Sequence, residues 1–290
     1  MGIQNNTFKP FSLHIKGAPK TFSQPLIMGI LNVTPDSFFA GSRCDSADKI
    51  EAKVKRLLCE KADIIDIGGY SSRPNASNVS PQEEFARLKE GILAVHRHAS
   101  DAIISIDTFR ADVARRCVEE LGADIINDVS GGTLDPHMFA TVAKLRVPYV
   151  LMHMRGDFDT MQSLTTYSDV TADVLAFLAE KIDTLRSLGA GDVIADPGFG
   201  FSKTLDQNYE MMNRLEEFHS LNVPLLVGIS RKSMLYKLLG CTPADALNAT
   251  TVLNTISLLK GAHILRVHDV KAAVEARTVV TKTLSFNKES

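Results

Sequence analysis

The chain has 290 residues, 44% of them hydrophobic and 23% charged, and 32 basic against 34 acidic side chains leave a net charge of −2. That balance, with no block of like charge, excludes the electrostatic footprint of a nucleic-acid or anionic-membrane binder. The apolar runs are too short to span a bilayer, no basic-then-apolar leader opens the chain, and Cys44, Cys59, Cys117 and Cys241 form no CxxC pair. The expectation is a cytoplasmic protein without a disulfide framework or zinc site.

Residues 1–24, with "FSLHIKG" and Pro10 and Pro19, fit no repeat and are expected as a short hairpin closing the bottom of the fold. From there short apolar runs recur: Leu26–Leu31, Asp63–Ile67, Ile103–Ile106, Asp124–Ile126, Pro148–Met152, Asp192–Ala195, Pro224–Val227 and His263–Val267. Continuous rather than alternating runs indicate parallel strands buried on both faces. Amphipathic stretches fill the gaps. The first, 47–61, starts after a capping Ser46 and has Ile50, Val54, Leu57 and Leu58 as its stripe. The second, 81–99, follows Ser80 and opens on Pro81, with Glu83 and Glu84 near the positive end of the helix dipole. The others are Ala111–Leu121, Asp135–Lys144, Asp169–Leu188, Asp206–Leu221, Pro243–Lys260 and Val270–Thr283. Eight strand–helix repeats predict an α/β fold, a (β/α)8 TIM barrel forming one domain over residues 25–285. An open doubly wound sheet is the alternative.

Each strand ends in something polar: Asn32; Asp66 with Gly68 and Gly69; Asp107; Asn127 with Asp128; His153; Asp196; Gly228 to Ser230; and Arg266 with His268. In a barrel those ends converge on one mouth, where active sites lie. Helix capping accounts for any single Asp, Asn or Ser, but caps fall one to four residues later. One polar cup accounts for the whole set.

Asp107, Asn127 and Asp196 suit a flat heterocycle whose edge carries ring N–H and exocyclic NH2 donors. Hard metals normally take several close carboxylates, so recognition is favoured over a metal cage, with structural roles open for Asp66 and Asp128. In "DPGFGFSK", Asp196 to Lys203, the glycines allow backbone to approach a planar ligand, and Phe199 or Phe201 lies beside it or in the core. Arg231 and Lys232 follow the seventh strand. Arg266 and His268, two apart at the eighth, point the same way and read as an anion clamp. Ser71, Ser72 and Arg73 suit an oxyanion or a solvated loop, and His153 is a candidate base. No nucleophile elbow is present, which leaves covalent hydrolysis without support.

Taken together, "MGILNVTPDSF", "DIIDIGG", "SIDTFR", "INDVSGG", "LMHMRG", "DPGFGFSK", "GISRKSM" and "LRVHDV" resemble the dihydropteroate synthase family of pterin-binding barrels. The resemblance runs in family order from Met28 to Val270. It implies condensation of 6-hydroxymethyl-7,8-dihydropterin diphosphate with 4-aminobenzoate by an SN1-type mechanism, in folate biosynthesis, by a Mg²⁺-assisted homodimer of the class that sulfonamides target. By motif, Asp107, Asn127, Asp196 and Lys232 hold the pterin, with Met152 and Gly228 lining its slot. Asn32, Ser72, Arg73, Arg266 and His268 bind the diphosphate, and Asn32 also contacts the metal. Phe38, Pro74, Phe201, Lys232 and Ser233 form the 4-aminobenzoate pocket. The catalytic set is Asp36, Asp107, Lys232, Arg266 and His268. Tyr70 stands where the family often has Glu, Ser72 where it has Thr, and Phe39-Ala40 where it has Ser-Asp. A pterin-binding corrinoid methyltransferase and a non-catalytic pterin-binding paralogue are the alternatives. The first needs no anion clamp, so Arg73, Arg266 and His268 argue against it.

Overall fold

Strand β1 (Phe11–Ile15) folds back on β2 (Ala18–Phe22) through Lys16 and Gly17, both at positive φ. Every later strand is parallel to its neighbours. They are β3 (Leu26–Asn32), β4 (Ile64–Gly68), β5 (Ile103–Asp107), β6 (Ile125–Asp128), β7 (Tyr149–Met152), β8 (Val193–Asp196), β9 (Leu226–Val227) and β10 (Ile264–Val267). In space they run β8-β7-β6-β5-β4-β3-β10-β9. A parallel bridge between Ala195 and Leu225 brings the two ends of that series together. The result is an eight-stranded barrel in which each strand is followed by helix, as the repeats require. The computed structural model describes residues 8–33, 47–70 and 79–286.

The helices are α1 (Ala47–Cys59), α2 (Pro81–His98), α3 (Ala111–Leu121), α4 (Met138–Leu145), α5 (Val170–Ser187), α6 (Leu205–Asn213), α7 (Ser233–Leu239), α8 (Leu247–Leu259) and α9 (Val270–Ser285). Their local signals are the ordinary ones. Ser80 accepts from the Glu83 amide at the start of α2, Asp169 caps α5, and Thr204 with Gln207 forms a capping box on α6. Gly122 ends α3 in the left-handed region.

Three helix boundaries differ from the sequence expectation. The stretch expected as one helix from Asp206 to Leu221 is α6 followed by a 3-10 segment, Leu215–Leu221. There Leu215, Phe218 and Leu221 are buried at intervals of three, the period of a 3-10 rather than an α-helix. The stretch from Pro243 begins as a capped 3-10 turn, Pro243–Asp245, before α8 starts. Helix α4 starts three residues late, because Asp135 accepts from the His137 amide and also holds the Ala111 amide. Helix α7, seven residues long, is too short to declare a period and was not expected.

The period-2 alternation of the strands builds the interior in layers. Leu26, Met28, Ile64, Ile103, Ile125, Val150, Ile194, Leu226 and Ile264 form an apolar floor, sealed from below by Leu13, Ile15 and Phe22 of the hairpin. The intervening residues, Ile27, Ile65, Ile104, Ile126, Tyr149, Val193, Val227 and Leu265 among them, face outward into the layer shared with the helices. Two residues above the floor, the inward positions of β4 to β8 read Asp66, Ser105, Asn127, Met152 and Asp196, and Gly228, Arg266 and, on β3, Ile30 complete the layer. The apolar floor changes to a polar cup within one layer.

Candidate active site

Four strand ends align across the mouth. Asn32 pairs in register with Gly68, Gly68 with Asp107, and Asp107 with Asn127. Gly68 keeps this row tight, since a Cβ there would sit 3.2 Å from Asn32 Oδ1 and 3.7 Å from Asp107 Cβ.

Arg266 reaches over this row. Its Nε donates to Asp66 Oδ2 and its Nη2 to Asp107 Oδ2, both at 2.7 Å. Asn127 Nδ2 also donates to Asp66 Oδ2, at 3.1 Å. The amide and the guanidinium are therefore fixed by one buried carboxylate. Burial pushes the Asp107 carboxyl up to about 7, opposed by Arg266 and reinforced by Asp66. Burial also works against the Arg266 cation, but Asp66 and Asp107 outweigh it and hold the guanidinium charged.

On the opposite wall, Asp196 accepts from the Gly198 amide at 2.8 Å. Burial raises its carboxyl, against the pull of Lys232. Lys232 follows β9, donates to the Phe199 carbonyl at 2.6 Å and lies 4.7 Å from the centre of the Phe201 ring. Burial lowers its ammonium to about 8, opposed by Asp196. Gly228 leaves room between Lys232 and Arg266, for a Cβ there would be 3.9 Å from Lys232 Nζ and 3.7 Å from Arg266 Cβ. Met152 is buried in an apolar patch with Phe201 packed against it. Ser233 opens α7 directly after Lys232. His268, two residues past Arg266, is held below the usual imidazole range, at about 3, by burial and by Arg266. Its backbone amide donates to Ser230 Oγ. Asp107, Asn127, Met152, Asp196, Gly228, Lys232, Arg266, Phe201 and Asn32 thus line one cup. Asp36, Phe38, Ser72, Arg73 and Pro74 lie outside the described residues.

Three residues singled out in the sequence serve the frame instead. Arg231 makes a two-point pair with Asp269, at 2.8 and 3.0 Å, and donates to the Pro243 carbonyl. Asp128 accepts from Tyr149 Oη, from Ser130 and from the Gly132 amide, which shapes the loop after β6. His153 is buried against Phe177, with Nδ1 3.0 Å from Lys203 Nζ. Burial and Lys203 push its imidazole down to about 2, which suits an acceptor and not a base working near neutrality.

One contributor, Lys203, was missed, and Asp66 had its role left open. Lys203 Nζ donates to the carbonyls of Gly198 and Phe201, pinning the loop whose Phe199 carbonyl holds Lys232. Asp66 is the shared acceptor of Arg266 and Asn127. The signal available in the sequence was the period-2 placement of Asp66, two residues before Gly68. Tyr70 packs against the same apolar patch as Met152, in an aromatic cluster with Phe109 and Phe158 at 5.2 and 5.6 Å. Arg110 flanks that cluster and is paired with the buried Glu84.

The fold and the cup define a class: an α/β barrel whose mouth gathers buried carboxylates, an amide and cations in one cup. The family model described as "Pterin binding enzyme" matches residues 28–268. The chain is 41% identical over 275 residues to the dihydropteroate synthase of Escherichia coli (strain K12), covering 94% of this chain and 96% of that one. Among solved structures, the dihydropteroate synthase of Yersinia pestis with a sulfonamide drug complex superposes with a TM-score of 0.89 at 38% identity, over 95% of this chain and 100% of that one. That of Xanthomonas albilineans with 4-aminobenzoic acid gives 0.85 at 37%, over 95% and 98%. The chain belongs to the pterin-binding enzyme family, as a dihydropteroate synthase.

Proposed function

We propose that this cup joins 6-hydroxymethyl-7,8-dihydropterin diphosphate to 4-aminobenzoate, releasing diphosphate and 7,8-dihydropteroate. The observation that carries the reading is the Arg266–Asp107 bond, which puts an anion-binding cation and a heterocycle-reading carboxylate in one cup. Asp107, Asp196 and the Asn127 carbonyl oxygen accept from the ring N–H and NH2 groups, and Met152 and Gly228 supply a flat slot. Lys232 spans the pterin and arylamine halves, with Phe201 beside it and Ser233 at the start of α7. The structural neighbour with 4-aminobenzoic acid supports that second pocket.

The mechanism proposed is dissociative. The C–O bond to diphosphate breaks first, and its electron pair leaves with the diphosphate. The methylene cation is stabilised by the buried carboxylates, above all Asp107, and the amine of 4-aminobenzoate then attacks it and loses a proton. Arg266 and a His268 N–H meet the departing charge. No nucleophilic side chain is required, consistent with the missing elbow motif.

Magnesium fits the mouth in one specific way. The described residues hold no group of three or more His, Cys, Asp or Glu side chains suited to a metal. Asn32 does present an amide oxygen beside Gly68 and the Asp107 strand end. Mg²⁺ keeps most of its waters and needs one or two protein oxygens together with substrate phosphates, which matches a single Asn32 ligand. When bound, the ion neutralises developing charge on the diphosphate.

We further infer one pterin-binding unit over residues 25–285 and a cytoplasmic homodimer. Val252 and Leu259 of α8 and Val279 of α9 are exposed apolar residues on neighbouring helices, which supports a partner on that face. Among the described residues no helix is long and apolar enough to cross a membrane. The test of the reaction is mass-spectrometric identification of 7,8-dihydropteroate after incubation with both substrates and Mg²⁺. Recovery of unreacted 4-aminobenzoate alone contradicts it.

A further inference from the structure

We infer that Asp66 is a positioning residue: its single oxygen Oδ2 orients both the Asn127 amide and the Arg266 guanidinium, and so sets which atoms the cup presents to the pterin. The inference rests on the function proposed above and deepens it.

A carboxylate accepts and does not donate. Asn127 lies 3.1 Å from Asp66 Oδ2, so it must turn its NH2 toward Asp66 and its carbonyl oxygen the other way. An amide carbonyl aimed into the cup accepts a ring N–H, and the flipped amide would offer a donor to a donor. The same oxygen takes Arg266 Nε at 2.7 Å. Engaging Nε fixes the plane of the guanidinium, directs Nη2 to Asp107, and leaves Nη1 without a protein partner among the described residues.

The siting of Asp66 is difficult to explain by stability. Its side chain is fully buried in the interior of the barrel. Its other oxygen, Oδ1, is buried with no partner among the described residues. Its register neighbour Ser105 likewise has a buried, unpartnered Oγ. A carboxylate buried with one unsatisfied oxygen is costly, and a whole buried ion pair replaced by apolar side chains of similar volume is often equal or better for stability. Local rules broken in this way are expected at functional sites.

Because both donors land on one oxygen, an asparagine at position 66 keeps an acceptor there, whereas leucine keeps the volume and removes it. The test is isothermal calorimetry with 6-hydroxymethylpterin as the probe, together with steady-state kinetics, on purified Asp66→Leu, Asp66→Asn, Asn127→Ala and the double variant Asp66→Leu/Asn127→Ala. Asp66→Leu is expected to weaken pterin binding about tenfold or more and also to lower kcat, because Arg266 loses its orientation. Asp66→Asn is expected to retain most of the affinity. In the Asn127→Ala background, Asp66→Leu is expected to cause little further loss of pterin affinity, the signature of two residues acting as one, while still lowering kcat through Arg266. Three results overturn the inference: an Asp66→Leu protein that binds the probe like wild type, fully additive losses of pterin affinity in the double variant, or an Asp66→Asn protein as weak as Asn127→Ala. If Asp66→Leu does not fold, the Asp66→Asn affinity decides alone. A wild-type protein that binds no pterin overturns the function itself, an outcome distinct from all of these.

Discussion

Arg266 and Asp107 are joined by a 2.7 Å hydrogen bond across the barrel mouth, which ties the cation proposed as the anion clamp to the carboxylate proposed to read the heterocycle. Arg266 also bonds Asp66, so neither the clamp nor the reader can be altered without disturbing the other.

Arg266→Ala should therefore do more than cripple turnover. Removing one member of a buried ion network leaves the others uncompensated, and the cost is about 3 kcal/mol or more. Chemical denaturation of the variant should show that loss. Its free-pterin affinity should weaken far less than its turnover, and that weakening traces to Asp107, whose carboxyl rises further without the cation. Wild-type stability in the variant would mean that the network contributes nothing.

The pH dependence follows from two groups. Asp107 must be ionised to stabilise a cation, and burial places it at about 7, so activity should rise as pH passes upward through 7. Lys232 must be protonated, and burial places it at about 8, so activity should fall above 8. The profile of kcat/KM should be a narrow bell between those limbs. Lys232→Arg should remove the alkaline limb, since guanidinium does not titrate there, even at a reduced maximum. An unchanged alkaline limb would assign it to another group.

Lys203→Met should loosen the loop after β8. Three acceptors, His153 Nδ1 and the Gly198 and Phe201 carbonyls, lose their donor, at about 1–3 kcal/mol for each group left unsatisfied. The Phe199 carbonyl that holds Lys232 shifts with them, so KM for 4-aminobenzoate should rise more than kcat falls. Equal changes in both constants would place Lys203 outside that coupling.

Gly198→Ala should destabilise by about 2 kcal/mol or more. Gly198 has φ of +72°, and a Cβ there would overlap the His153 carbonyl oxygen. A thermal melt that matches wild type would contradict this.

The barrel was legible because its signals are local and repeated. Continuous apolar runs separated by amphipathic stretches dictate parallel strands and crossover helices, and Ser80, Asp169 and Thr204 behave as their residue types require. The cup was legible because period-2 alternation turns strand-end residues inward together. What stayed hidden depends on long-range contacts. Arg231 and Lys232 are adjacent cations, yet Arg231 pairs with Asp269, 38 residues on, and Lys232 with a carbonyl 33 residues back. His153 looks like a base until Lys203, 50 residues away, takes its nitrogen. Asp66 stands among the polar strand ends, but its role stays open in the sequence because both of its donors come from other strands.

The most direct measurement is diphosphate release by the purified protein given 6-hydroxymethyl-7,8-dihydropterin diphosphate and Mg²⁺, with and without 4-aminobenzoate. The account predicts that sustained release requires 4-aminobenzoate and matches 7,8-dihydropteroate formed one for one. Release that is absent, or that proceeds at the same sustained rate without 4-aminobenzoate, would contradict it.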